Sequence, residues 1–189
     1  MGPATMTLAE TRRRIRIDRE RLRRCLTERG IEGGMTFSPA LLCVRLYRYS
    51  RYFYVKGWRR AARLVWQLNL FLTGADISPL SDLGEGLLVV HPFAVTISGS
   101  AGKGLTVEGW GGMGGGMSLE DIGAGPGLPL LGDDVQLDRS AMVLGAVRVG
   151  HGVRIGPGCT VVRHLPDGAR VEAPAVRVRR AGEQDEALP

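Results

Sequence analysis

The chain has 189 residues, of which 28 are glycine, about 15% and roughly twice the usual share. Lys and Arg total 25 against 19 Asp and Glu, a net charge of +6, and 44% of the residues are hydrophobic. That hydrophobic fraction excludes a wholly disordered chain, and glycine without a three-residue period excludes collagen. Cys25, Cys43 and Cys159 are odd in number and lack CxxC spacing, which argues against a disulfide framework or a zinc site. The most apolar stretch, residues 61–72, contains Arg63, Gln67 and Asn69 and is too short to span a bilayer. With no secretory leader visible, the expected compartment is the cytoplasm.

The totals hide two segments. Residues 1–75 hold 16 Lys/Arg and 5 Asp/Glu, whereas residues 76–189 hold 9 and 14. Glycine divides the other way, 6 against 22. Residues 9–29 are rich in helix formers and end at Gly30, a C-cap candidate. Their apolar stripe of Leu8, Ile15, Leu22 and Leu26 is narrow, so this helix packs weakly or awaits a partner. Ser38-Pro39 supplies an N-cap and a proline at the first helical position. Leu42, Leu46, Tyr49 and Phe53 follow at helical spacing. Gly57 allows a break, after which Trp58, Ala61, Val65, Leu68 and Leu72 recur in the same way. The expected organisation is a basic helical extension over 1–34 and a helical subdomain over 35–75.

From Ile77 onward the period changes to six. Ile77, Leu83, Val89, Val95, Ala101, Val107 and Met113 fall on one count, which resumes at Leu131, Leu137, Val143, Val149, Ile155 and Val161. A period of six fits neither helix nor flat strand but does fit a triangular parallel β-helix, with three six-residue sides per coil. Each apolar position then points inward and stacks on its equivalent eighteen residues on, Ile77 on Val95 and Leu131 on Val149. The residues two places earlier (Leu87, Phe93, Leu105, Val135, Ala141, Val147, Val153, Cys159) are also apolar or small. The fold class is therefore mainly β: a parallel β-helix of hexapeptide repeats over 76–178 with an N-terminal α-helical segment. Residues 114–130 break the count and read as a projecting loop, the kind of segment that often carries function. Residues 179–189 read as a flexible acidic tail.

The residues Gly74-Ala75-Asp76-Ile77, then LGEGLLVVHP, then a glycine-rich strand ending MGGG resemble the serine O-acetyltransferase branch of the hexapeptide-repeat acyltransferases. The run from Leu130 to Val171 followed by Ala173-Pro174-Ala175 is similar to that family's closing coils. The resemblance covers about residues 40–178. It implies a left-handed β-helix, a homotrimer with active sites between subunits, and acyl transfer from acetyl-CoA to a hydroxyl. His91 falls on the family's catalytic histidine and Asp76 on the aspartate that pairs with it. An alcohol must lose its proton as it attacks a thioester, and histidine, ordinarily near 6.5, suits that task. A carboxylate on the other ring nitrogen would fix the tautomer and stabilise the imidazolium. Fifteen residues is three short of a coil, which places the two near each other on adjacent turns.

The resemblance also has departures. The family's substrate-contacting aspartate before the histidine is Val90 here, and its second active-site histidine is replaced by Leu128 before Pro129. Gly114 and Gly115 match the paired glycines that open the loop and could pass a pantetheine arm, and Arg177 and Arg179 could face CoA phosphates. The chain is read from His91 to Gly114 without the family's two-residue insertion, its hexad register unbroken. His151 and His164 read as surface residues, and no metal site is expected.

The function expected is thus O-acyl transfer from a CoA or carrier-protein thioester to a small hydroxyl acceptor, with no permanently bound cofactor. Other readings are a catalytically silent scaffold, nucleic-acid binding through the basic helix, and a membrane-facing helical segment. Arg outnumbers Lys 23 to 2 across the chain and no recognition motif accompanies the basic run, so nucleic acid is not the expected partner.

Overall fold

A computed structural model describes residues 6–31 and 38–174. Three helices come first: α1 (Leu8–Glu28), α2 (Pro39–Val55) and α3 (Arg59–Thr73). The Thr7 side chain caps α1 by accepting from the Glu10 amide, and Ser38 caps α2 with Pro39 at its first position. Gly74, in the left-handed conformation, ends α3 and turns the chain into the first strand.

Fourteen strands of two or three residues follow: β1 (Asp76–Ile77), β2 (Asp82–Leu83), β3 (Leu88–Val89), β4 (Thr96–Ile97), β5 (Ser100–Ala101), β6 (Thr106–Val107), β7 (Gly112–Gly114), β8 (Leu130–Leu131), β9 (Gln136–Leu137), β10 (Met142–Leu144), β11 (Arg148–Val149), β12 (Arg154–Ile155), β13 (Thr160–Val161) and β14 (Arg170–Val171). All pair in parallel and form three sheets, β1-β4-β7-β10-β13, β11-β8-β5-β2 and β14-β12-β9-β6-β3. These are the three faces of a left-handed β-helix. The inward residues from Ile77 to Val161 make one continuous buried cluster. Among the described residues no helix is long and apolar enough to cross a membrane.

The hexad count holds for most of the stack, with Leu131 pairing on Val149 as expected. It slips once. Ile77 pairs with Ile97, not Val95, and Ile97 with Met113. Six residues separate β3 from β4 and only Ser98 and Gly99 separate β4 from β5, so two residues gained at one corner are removed at the next. The register is therefore not unbroken after His91. Val95 is still buried, at the end of the enlarged corner, which is why counting apolar positions does not reveal the shift. Phe93, expected inward, is instead 64% exposed, because the extra residues carry it out of the prism. The shortened turn brings β7 so close to β4 that any side chain at Gly112 would overlap the Thr96 carbonyl.

The helical stripes also differ from expectation. In α2 the buried apolar residues are Ala40, Cys43, Val44 and Tyr47, while Leu42 is exposed. In α3 the buried residues are Ala62, Asn69 and Thr73, and Leu64, Leu68, Phe71 and Leu72 face outward. Asn69 donates to the Cys43 carbonyl (3.0 Å), and its own side-chain oxygen accepts from the Thr73 hydroxyl (2.9 Å). With Ser50 donating its hydroxyl to the Ala62 carbonyl (2.9 Å), polar bonds thus join the buried Ala62 in closing the α2–α3 contact.

The helices are anchored to the first coil by a buried ion pair. Arg48 of α2 donates through Nε and Nη2 to Asp18 of α1 (2.8 and 3.1 Å) and through Nη1 and Nη2 to the Leu83 and Gly84 carbonyls (2.6 Å each). Asp18 also accepts from the Leu87 amide at 2.9 Å. Tyr47 adds a second link, donating to the Ser81 carbonyl and accepting from the Leu83 amide. Helix α1 is therefore not weakly attached, as its narrow apolar stripe suggests: its fixing points are Asp18 and Leu22, with Arg21 donating to the Gly86 and Leu105 carbonyls and to the Thr106 hydroxyl.

Candidate active site

Asp76 opens β1 directly after the Gly74 turn. Its amide donates to the Val95 carbonyl (2.8 Å), and the Ala94 amide donates back to the Gly74 carbonyl (2.9 Å). The corner that begins at His91 is therefore tied by backbone bonds to the segment carrying Asp76. Both residues lie at the prism edge between the third and first sheets, Asp76 half-buried and His91 exposed.

The Asp76 carboxylate has a partner that sequence does not indicate. Trp66 of α3 donates its indole N–H to Asp76 Oδ1 at 2.8 Å. Among the described residues no hydrogen bond joins Asp76 to His91. A carboxylate has lone pairs to spare beyond one indole bond, so Trp66 fixes its orientation without exhausting its acceptor capacity.

His91 rests on the next coil. A Cβ at Gly109 would lie 3.1 Å from His91 Cβ and 3.3 Å from its carbonyl oxygen, so a side chain there would push His91 away. Along the same edge Phe93 and Trp110 meet edge to face, centroids 6.2 Å apart, and Arg139 lies over the Trp110 ring at 5.1 Å. Sequence reasoning missed Trp66, Gly109, Trp110 and Arg139. Gly109 and Trp110 carried a signal in the Glu108-Gly109-Trp110-Gly111 run, which falls one coil above His91.

The other sequence candidates are dispersed. Val90, whose amide donates to the Val107 carbonyl, packs beside Leu22, Ala40 and Leu88. It lines a groove of about 340 Å³ between the C-terminal half of α1 and the outer face of the third sheet, with Arg21, Arg24, Arg29, Glu108 and Gln136. Gly114 ends β7 and accepts from the Gly145 amide (3.0 Å), with nothing in the chain within 4 Å of where its side chain would project. Gly115 begins the loop beside Leu128. Leu128 is half-buried and packs within the loop rather than near Val90, the loop being closed by bonds from the Gly116 amide to Gly127 and from the Gly127 amide to Glu120. Met117 and Leu119 project from it, fully exposed. Arg177 and Arg179 lie outside the described residues. His151 and His164 are exposed and hold turns, each accepting a backbone amide through Nδ1, from Asp133 and Arg148.

The stacked coils carry the family signature. Residues 129–163 match the family described as bacterial transferase hexapeptide (six repeats). Serine acetyltransferase from Helicobacter pylori (strain J99) is 36% identical over 136 residues, which is 69% of this chain and 73% of that protein. The chain belongs to the serine acetyltransferase family of hexapeptide-repeat transferases. It spans from 52% to 73% of the length of the curated serine acetyltransferases it matches. Solved serine acetyltransferases share the fold. The Neisseria gonorrhoeae protein in complex with serine has a TM-score of 0.73 at 21% identity, over 89% of this chain and 69% of that one. A serine acetyltransferase in complex with CoA has a TM-score of 0.75 at 17% identity, over 90% and 70%.

Proposed function

We propose that this chain is an O-acetyltransferase that moves the acetyl group of acetyl-CoA to a hydroxyl acceptor, with L-serine, the family's acceptor, the first to be tested. The observation that carries this reading is the edge where the His91 corner is hydrogen-bonded onto the Gly74–Asp76 segment. In the proposed reaction His91 takes the acceptor's hydroxyl proton as its oxygen attacks the thioester carbonyl. The new C–O bond forms, the C–S bond breaks, and the leaving thiolate recovers the proton from the imidazolium. Asp76, held through Trp66, orients the imidazole and offsets its transient charge. Gly114 and Gly115 leave room along the backbone for the pantetheine arm, and Arg177 and Arg179 would meet the CoA phosphates. A carrier-bound pantetheine would present the same thioester. Val90 and Leu128 make the acceptor site less polar than the family pattern, which favours a weakened grip on serine or a less polar alcohol.

Residues 76–178 would act as the acyltransferase domain and residues 1–75 as its helical support, in a homotrimer in the cytoplasm. The outward apolar face of α3, the exposed Phe93 and Trp110, and the tips Met117 and Leu119 support such an association.

The test follows thiol release from acetyl-CoA with L-serine and other alcohols, products being identified by mass spectrometry. His91→Ala is expected to lower kcat about 10²–10⁴-fold, and Asp76→Asn by less. Unchanged turnover in His91→Ala removes the assigned base. One observation favours a second reading, a silent scaffold: among the described residues the Asp76 carboxylate bonds Trp66 and makes no hydrogen bond to His91. Absence of turnover with every alcohol would favour it.

A further inference from the structure

Several arginines of helix α1 and its C-cap are matched: Arg13 pairs with Glu10 and Glu85, Arg14 with Glu10, Arg21 bonds three oxygens, and Arg29 lies 3.8 Å from Glu108. On one face Arg12, Arg16 and Arg19 recur at helical spacing and meet Arg45 of α2 around a groove of about 420 Å³. Among the described residues none of these four makes an ion pair or a side-chain hydrogen bond. The nearby Asp18 is turned away and consumed by Arg48. Half-buried Ile15, Leu41 and Tyr49 form the apolar part of the lining.

We propose that this groove between α1 and α2 binds an organic phosphate: a phosphoryl group held by the four guanidinium groups, with a planar or apolar body on Tyr49, Leu41 and Ile15. Converging like charges beside apolar walls raise the local positive potential and repel one another until an anion enters. Guanidinium groups match phosphate oxygens two at a time, which a lone lysine cannot do. The volume lies within the roughly 300–1,000 Å³ range of small-molecule sites. The apolar lining distinguishes an organic phosphate from the inorganic ion. The source of the phosphate is either a free metabolite or a lipid headgroup, and the two arms below separate them.

Calorimetry on the full chain with phenyl phosphate and with inorganic phosphate tests the site, beside co-sedimentation with vesicles of phosphatidylglycerol in phosphatidylcholine. Phenyl phosphate is expected to bind saturably, one per chain, and more tightly than inorganic phosphate. Arg16→Ala with Arg45→Ala should weaken it about tenfold or more, and Tyr49→Ala should narrow the gap between the two probes. Arg23→Ala, an exposed α1 arginine outside the groove, should change binding less than about twofold. Circular dichroism confirms that each variant retains its helices. Vesicle binding lost in Arg16→Ala/Arg45→Ala, without phenyl phosphate binding, assigns the phosphate to a lipid headgroup. Binding of neither probe, or equal weakening by Arg23→Ala, overturns the proposal.

Discussion

The β-helix and the helices in front of it are held by opposite means. From Ile77 to Val161 the stack is fixed by one apolar side chain per short strand, repeated until the prism is filled. The helical segment is fixed to the first coil by a few polar anchors, foremost the buried pair Arg48 and Asp18, spread over two carbonyls and an amide of the β2–β3 region, with Tyr47 and Arg21 beside it. The repeat divides its stability among many similar contacts, and the junction concentrates it in a few. Damage should therefore remain local in the first region and detach a whole segment in the second.

Arg48→Ala breaks the comparison most severely. It leaves Asp18 buried without its cation, a change expected to cost roughly 3–5 kcal/mol. Chemical denaturation should show that loss, and hydrogen exchange should show α1 and α2 losing protection while the later strands keep theirs. Combining Arg48→Met with Asp18→Leu should recover only part of it, because the Gly84 carbonyl and the Leu87 amide remain unmatched. Ile155→Val, in a fully buried stack position, is expected to cost about 0.5–1.5 kcal/mol, with exchange changes confined to the neighbouring coils. Equal spreading of both variants' effects over the molecule would erase the distinction.

Acid gives the smallest effect. Hydrogen bonds from Arg13 and Arg14 hold the Glu10 carboxyl at about 2, below its ordinary 4.5, and a hydrogen bond from Arg13, then one from Lys103, lowers Glu85. A carboxylate depressed in the folded state stabilises it fully above 4.5, and that contribution fades as pH falls toward 2. Thermal unfolding at pH 6 and pH 3 should show Glu85→Gln converging on the parent chain in acid, with a shift at pH 6 smaller than that of Ile155→Val. Both carboxylates are solvent-facing, which keeps the effect small.

Period made the β-helix legible. Inward residues at a spacing of six can be counted without knowing the fold, and Leu131 and Val149 meet where the count puts them. The junction was illegible for a chemical reason: an arginine and an aspartate thirty residues apart look like two more surface charges, and only the folded chain shows Arg48 fully buried. Helix α2 misled because apolar and aromatic residues surround it, so Leu42 and Tyr47 were equally plausible inward positions. Family resemblance singles out Asp76 and His91 as candidates but not Trp66, which reaches Asp76 across the α3–β1 turn. The Val95 and Ile97 ambiguity could not be resolved by hydropathy, both being apolar and both buried.

The slip around β4 has a consequence for how such a chain can change. Asp76 pairs with Thr96, twenty residues on, and Thr96 with Gly112, sixteen on, so two successive coils still span the length of two regular ones. Coils above and below stay in phase although the one between is out of step. A segment can thus be lengthened at the edge where His91 sits, and its side chains re-aimed, without disturbing the rest of the spiral, provided the next corner is shortened equally and a glycine waits where the two coils nearly touch. In this fold, novelty at one edge is obtained by borrowing residues from an adjacent turn.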